Sequence, residues 1–302
     1  MASSPGDGGG TRPPEPTAAA DGVPAADRGT AERLASAPLE VVGRFSDASN
    51  ATLLVRLGDR DPRTLADLAD GLGRPAGLED LDPRDLAVYK PERGEAPLWD
   101  FPTGTLHRRE VAAYEVSVAL GWDLVPVTVL REDAPFGPGS LQRFVPHDPD
   151  EHYFWLLEHG GPEVAVQLTR MVTFDLVIDN ADRKGGHVLR ELPPGSGPLG
   201  PAAASVPAEG TPIRLVDHGV SFHVEDKLRT VGWHLAGAPV PDADRARVAD
   251  LEAQLAGWLG QRLAALLVDA EIDALRRRVQ SLADLERFPP PSGPRPTPWP
   301  VL

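Results

Sequence analysis

The chain has 302 residues, 30 of them basic and 45 acidic, for a net charge of −15. A surface that acidic repels nucleic-acid phosphates and anionic headgroups, and no run of Lys and Arg makes a local exception, so the charge disfavours nucleic acid as a partner. Cysteine is absent, which removes disulfides, thiol nucleophiles and thiolate metal sites.

No secretory pattern opens the sequence, and no apolar run approaches the ~18 residues of a membrane span, so the expectation is a cytoplasmic protein without integral membrane association. Only Lys90, Lys184 and Lys227 supply lysine among the basic residues, which makes the place of each one informative.

Residues 1–36 are rich in Gly, Pro, Ala and Asp and nearly devoid of large apolar side chains, a composition that predicts a disordered tail. Leu39–Ser46 and Ala51–Leu57 then read as strands of a hairpin, joined by Asp47-Ala48-Ser49-Asn50. An insertion at 58–85, with a short helix near 64–72, leads to a third strand, Leu86–Lys90, stopped by Pro91.

A helix is expected over Thr105–Leu120, with Thr105 as cap and Gly121 as stop. Strands at Val125–Leu130 and Ser140–Val145 follow, then helices at Glu151–Glu158 and Glu163–Ile178. Two short strands, Val188–Leu189 and Ile213–Val216, flank a low-complexity loop at 192–211. One or two amphipathic helices occupy 243–285, with a packing stripe of Leu251, Leu255, Leu259, Leu263 and Leu266. Pro289–Leu302 reads as an irregular tail, with Trp299 its one candidate for docking. Strands with one helix first and helices later is an α+β order.

Three motifs carry chemistry. Val88-Tyr89-Lys90-Pro91 places a lysine at a strand end, Asn180-Ala181-Asp182-Arg183-Lys184-Gly185-Gly186-His187 follows a helix, and Leu215-Val216-Asp217-His218-Gly219 ends a strand in Asp-x-Gly. Transfer of a phosphoryl group from ATP needs a rigidly held cation at the phosphates, a carboxylate for the divalent ion, and a carboxylate beside the acceptor hydroxyl. Lysine, Asp loop and Asp-x-Gly supply these in that order.

The Asn-x-Asp-Arg loop followed by Asp-x-Gly resembles the catalytic and metal loops of the phosphatidylinositol 3-/4-kinase-like superfamily, which includes type II phosphatidylinositol 4-kinases and, more distantly, HipA-type kinases. The segments AVYKP, LWDFP, REVAAYE, GSLQRFV and DNADRKGGH resemble an actinobacterial family of such kinases, over roughly 39–233. The resemblance implies a two-lobed protein-kinase-like or phosphoinositide-kinase-like fold at 37–287. Its N-lobe would span about 37–143 and its C-lobe about 144–287, with a Pro-rich tail at 288–302.

By position, the resemblance implies that Lys90 meets the ATP phosphates and Glu110 pairs with Lys90, with Glu115 on the same helix as the alternative. Ser46, Ser49 and Asn50 would lie over the phosphates, and the backbone around Gln142, Arg143 and Phe144 would meet adenine. Asp182 would be the catalytic carboxylate, with Arg183 and Lys184 beside it near phosphate or substrate, and Asp217 the main Mg²⁺ ligand. His187 stands where the superfamily has a metal-binding Asn; because Mg²⁺ prefers oxygen ligands, either the second metal is lost, or Mn²⁺ is favoured, or His187 serves another role.

The expected partners are therefore ATP with Mg²⁺ or Mn²⁺ and a phosphoryl acceptor that the sequence does not identify, as it does not identify the oligomeric state. His187 keeps open a nucleotide-binding pseudokinase that acts as a regulatory module, and the scaffold also admits AMP transfer. Asp179 reads as a helix-end residue, His218, His223 and His234 form no convincing ligand spacing, and Trp99, Phe101 and Trp155 read as packing aromatics.

Overall fold

The computed structural model describes residues 23–45, 50–58, 81–193, 196 and 211–302. The helix expected near 64–72, most of the 192–211 loop, and Ser46 and Ser49 lie outside the described residues.

The chain forms an α+β fold of two lobes. Ahead of the first strand lies a helix, α1 (Arg28–Ser36), within the stretch whose composition predicted disorder. Leu34 is fully buried, Arg131 donates to the carbonyls of Leu34 and Ala37 at the helix end, and Arg33 pairs with Asp85 at 2.7 Å. A single apolar anchor was too little for composition to reveal, although alanine-rich sequence is intrinsically helix-favouring.

Strands β1 (Leu39–Arg44), β2 (Leu53–Leu57), β3 (Leu86–Pro91), β4 (Thr128–Arg131) and β5 (Gly139–Arg143) form one antiparallel sheet in the order β1-β2-β3-β5-β4. Side chains alternate across it. Ala87 and Tyr89 of β3 are fully buried in the main core, while Leu86, Val88 and Lys90 share the opposite face.

Helix α2 (Leu106–Leu120) is buried on nearly every side, so its charged residues must find partners in the protein. Glycine ends it as expected, with Gly121 at φ 66, in the left-handed region that suits glycine at a helix terminus. Thr105 sits at the N-cap position, but its hydroxyl donates to the Pro102 carbonyl instead of capping the helix.

The second lobe contains α3 (Tyr153–His159), α4 (Gly161–Ile178) and the hairpin of β6 (Val188–Arg190) with β7 (Ile213–Leu215). Three helices close the lobe: α5 (Asp242–Leu255), α6 (Trp258–Ala264) and α7 (Asp269–Ala283), where the sequence predicted one or two. The leucine stripe runs across a break at Gly257, and Leu251, Leu255, Leu259 and Leu263 are all buried. Periodicity found the packing face but not the turns that interrupt it. Among the described residues no helix is long and apolar enough to cross a membrane.

Candidate active site

Lys90, the penultimate residue of β3, reaches toward α2 and the loop after β7. Its ammonium forms an ion pair with Glu110 Oε1 and a second, at 2.7 Å, with Asp217 Oδ1. Burial works against the Lys90 charge, but the Asp217 and Glu110 carboxylates more than offset it and hold the ammonium above its ordinary range. The alternative on the same helix, Glu115, turns away and pairs with Arg262. Glu110 uses its other oxygen to accept from the His218 amide at 3.0 Å, which ties α2 to the Asp-x-Gly segment.

Asp217 adopts φ 60, a left-handed conformation unusual for a residue with a side chain. Its side chain is 44% exposed and opens to the cleft. Burial of its surroundings raises its carboxyl, yet Lys90 first and then His187 pull it well below the usual carboxylate range, so it stays ionised. His187 Nε2 lies 3.3 Å from Asp217 Oδ2. Burial lowers the His187 imidazole to about 4, leaving it neutral with a lone pair to donate. One ionised carboxylate and one neutral imidazole suit a divalent cation whose remaining ligands come from elsewhere. Among the described residues no third His, Asp or Glu completes a protein-only metal cluster.

Asp182 sits in the loop after α4, and its amide donates to Asn180 Oδ1 at 2.9 Å. Its carboxylate faces Lys184 Nζ at 3.4 Å and is one-third exposed. Burial pushes its carboxyl up to about 6, with the Asp217 charge adding to that rise and Lys184 opposing it. A carboxyl so tuned is suited to accepting a proton near neutral pH.

Arg183 does not reach the cleft. It is fully buried, donating from Nε to Asp175 at 3.0 Å and from a terminal nitrogen to the Val216 carbonyl at 2.8 Å. Thr230 Oγ1 donates to the other Asp175 oxygen at 3.1 Å. The expected contact of Arg183 with phosphate or substrate is thus replaced by a positioning role: it pins the Asp182 loop to α4 and to the backbone just ahead of Asp217. A lone Asp in the apolar run Thr173-Phe174-Asp175-Leu176-Val177 was the signal that such a partner was needed.

Gln142 is buried on β5 and donates from Nε2 to Thr128 Oγ1. The Arg143 amide donates to Val127 O and the Phe144 amide to Leu86 O, so both are engaged within the sheet. The Phe144 ring packs on Leu54 and Leu86, with half-buried Val42, Phe45 and Val88 against them, on the face that carries Lys90. That apolar ceiling went unnoticed in the sequence, where Leu54, Leu86 and Val88 read as ordinary strand residues. Asn50 accepts from the Ala96 amide at 2.7 Å and so anchors the base of the turn after β1 to the stretch following β3.

His218 is fully buried with its ring edge-on to Phe174, and burial lowers its imidazole to about 4. Asp179 ends α4 in a left-handed turn at φ 53 and accepts from the Lys227 amide. Phe101 and Trp155 pack as expected, but Trp99 is 91% exposed, lying 4.7 Å from Lys227 Nζ across its ring face. Lys227 also pairs with Asp100 at 2.7 Å. All three lysines therefore pair with carboxylates.

No family model matches the chain. Among solved structures it is similar to a Golgi casein kinase with Mn/ADP bound (TM-score 0.48, 12% identity, 85% of this chain and 74% of that one). It is also similar to the Helicobacter pylori proinflammatory kinase CtkA (TM-score 0.44, 8% identity, 82% and 92%). Scores and identities that low assign no function. Protein Rv2133c of Mycobacterium tuberculosis is 41% identical over 300 residues, which cover 89% of this chain and 94% of that protein. The chain belongs to the family of protein Rv2133c.

Proposed function

We propose that the protein is an ATP-dependent phosphotransferase, with ATP bound between the lobes against the apolar ceiling of Val42, Leu54, Val88 and Phe144. The observation that carries this reading is the Lys90 ammonium, fixed on β3 between Glu110 and Asp217 and followed along the cleft by Asp182. A cation held on a rigid strand, beside an ionised carboxylate and a second carboxyl tuned upward, matches the needs of γ-phosphoryl transfer.

Lys90 would neutralise phosphate oxygens, and Glu110 would keep its chain extended toward them. With the amides of Arg143 and Phe144 engaged in the sheet, the adenine edge would meet the backbone that follows, at Val145. A divalent cation, Mg²⁺ or Mn²⁺, held by Asp217 and His187 would draw charge from the β- and γ-phosphates. Asp182 would accept the proton of the acceptor hydroxyl as its oxygen bonds to the γ-phosphorus and the bond to the ADP oxygen breaks. Asn180 and Lys184 would hold Asp182 in place and keep it ionised.

The test is incubation with γ-labelled ATP and Mg²⁺ or Mn²⁺, beside an Asp217→Asn variant. Asparagine tolerates the left-handed backbone at this position, which alanine does not, so the variant isolates the charge. Label on the protein, on an added acceptor or as free phosphate, lost in the variant, supports the assignment. ATP that raises the melting temperature while no label moves would replace it with the pseudokinase reading, which the His187 imidazole beside Asp217 favours.

A further inference from the structure

The proline-rich segment Pro289–Leu302 packs against the outside of the cleft loops. Pro296 O accepts from the Trp233 indole N–H at 2.7 Å and from the Thr230 amide at 3.2 Å. Farther along, Val301 O accepts from the Gly185 amide at 2.7 Å, three residues after Asp182. Pro298, between these anchors, is buried, although its neighbours Thr297 and Trp299 are exposed; proline, not the expected tryptophan, makes the docking contact.

Gly185 is where the two surfaces press closest. A Cβ there would lie 2.9 Å from Leu302 Cδ2 and 3.0 Å from the Phe154 ring. The donors beneath the segment come from two different elements. Gly185 belongs to the Asp182 loop, while Thr230 and Trp233 follow the Asp217 segment, and Arg183 already joins these elements from inside. Prolines at 294, 296, 298 and 300 bring no amide hydrogens, so the segment meets this row of donors chiefly with carbonyls. An indole N–H aimed at the carbonyl of a proline-rich strand, with an aromatic wall beside it, is a recurring way to bind such strands. Neither Asp182 nor Asp217 bonds to the segment, and both keep exposed carboxylates, so the docked state leaves the cleft open.

We propose that Trp233, Thr230, Gly185 and Phe154 form a recognition groove for proline-rich polypeptide, filled in cis by residues 294–302, and that this occupant clamps the Asp182 loop in its working position. The groove stands on its own geometry; its effect on turnover rests on the phosphotransferase reading.

The experiment compares three full-length proteins by amide hydrogen exchange over 182–187 and 229–233: the native chain, Trp233→Phe, and a chain with 294–302 replaced by an equal length of glycine and serine. Exchange at the Gly185 amide is expected to rise at least ~10-fold in the replaced chain, because that N–H loses its acceptor. Trp233→Phe, which keeps the ring and removes the donor, is expected to give a smaller rise. A free peptide of sequence 294–302 should bind the replaced chain saturably by calorimetry, restore protection and recover turnover through kcat more than KM.

Unchanged exchange in both variants, or a replaced chain that melts cooperatively yet binds no peptide, overturns the proposal. If the replaced chain does not fold, unchanged exchange in Trp233→Phe overturns it alone. Restored protection in a protein that never moves phosphate supports the groove and removes only the catalytic reading.

Discussion

Two charge pairs hold the Asp182 and Asp217 segments, and they differ in a way that separates scaffold from chemistry. Arg183 and Asp175 pair at 3.0 Å with both side chains fully buried, and backbone carbonyls and Thr230 take up further hydrogen bonds. Lys90 and Asp217 pair at 2.7 Å, but Asp217 is 44% exposed and its second oxygen faces a neutral imidazole. Buried ion pairs are costly to form, and loss of one partner strands the other charge in a dry interior. The pair open to solvent exchanges partners at lower cost, which is what the proposed contacts with phosphate and metal would require.

That contrast is open to direct attack. The largest effect is expected from Asp217→Asn: turnover should fall by at least about 100-fold. Its stability loss should be smaller than that of the buried pair, because Lys90 keeps Glu110 and Asp217 is partly open to solvent; an equal loss would mean that the open pair is scaffold after all. Asp175→Ala should do the reverse, costing about 3–5 kcal/mol of folding stability by leaving Arg183 uncompensated. Chemical denaturation reads that loss, and a value below ~1 kcal/mol would erase the distinction drawn here.

A middle case is Lys227→Met, which strips a charged hydrogen bond from largely buried Asp100 and should cost about 2 kcal/mol by the same measurement. Lys184→Ala acts on pH dependence instead. If Asp182 is the proposed proton acceptor it must be ionised, so turnover should rise with pH through about 6 in the native protein. Lys184 holds that carboxyl down, so its removal should move the rising limb to higher pH; a limb that stays put would clear Lys184 of that role. The smallest effect belongs to Trp99→Ala. With the ring 91% exposed, stability should change by no more than about 0.5 kcal/mol.

The residue types of the candidate site stood out in the sequence because the phosphoryl transfer proposed would demand few alternatives. A scarce lysine at a strand end, an Asp loop after a helix and an Asp-x-Gly after a strand announced Lys90, Asp182 and Asp217, and the structure gathers these around one opening. The inward turn of Arg183 was not legible, since a basic residue beside a loop carboxylate gives no sign of which way it points; its partner Asp175 lies eight positions upstream in a different element. The apolar ceiling was hidden for a related reason. Leu86, Val88 and Lys90 share a face by strand alternation alone, but that Leu54 and Phe144 join it depends on how β3 pairs on both sides, and register is a tertiary fact. Helix α1 and the docking of Pro298 were invisible because each buries one apolar side chain, Leu34 or Pro298, and otherwise relies on polar contacts within a composition that predicts no order.

The scarcity of lysine has a practical corollary. Residues 184 and 227 present the only bonds after lysine not followed by proline, and both side chains are held in ion pairs in or beside the cleft. A protease that cuts after lysine needs several residues of unfolded chain around its target, so it should leave the native molecule whole and cleave it once the cleft loops open. When opening and closing are fast relative to cleavage, the rate of digestion then follows the population of the open form. Lysine-specific digestion thereby becomes a gauge of how often this cleft comes apart, and any ligand that settles there should slow it.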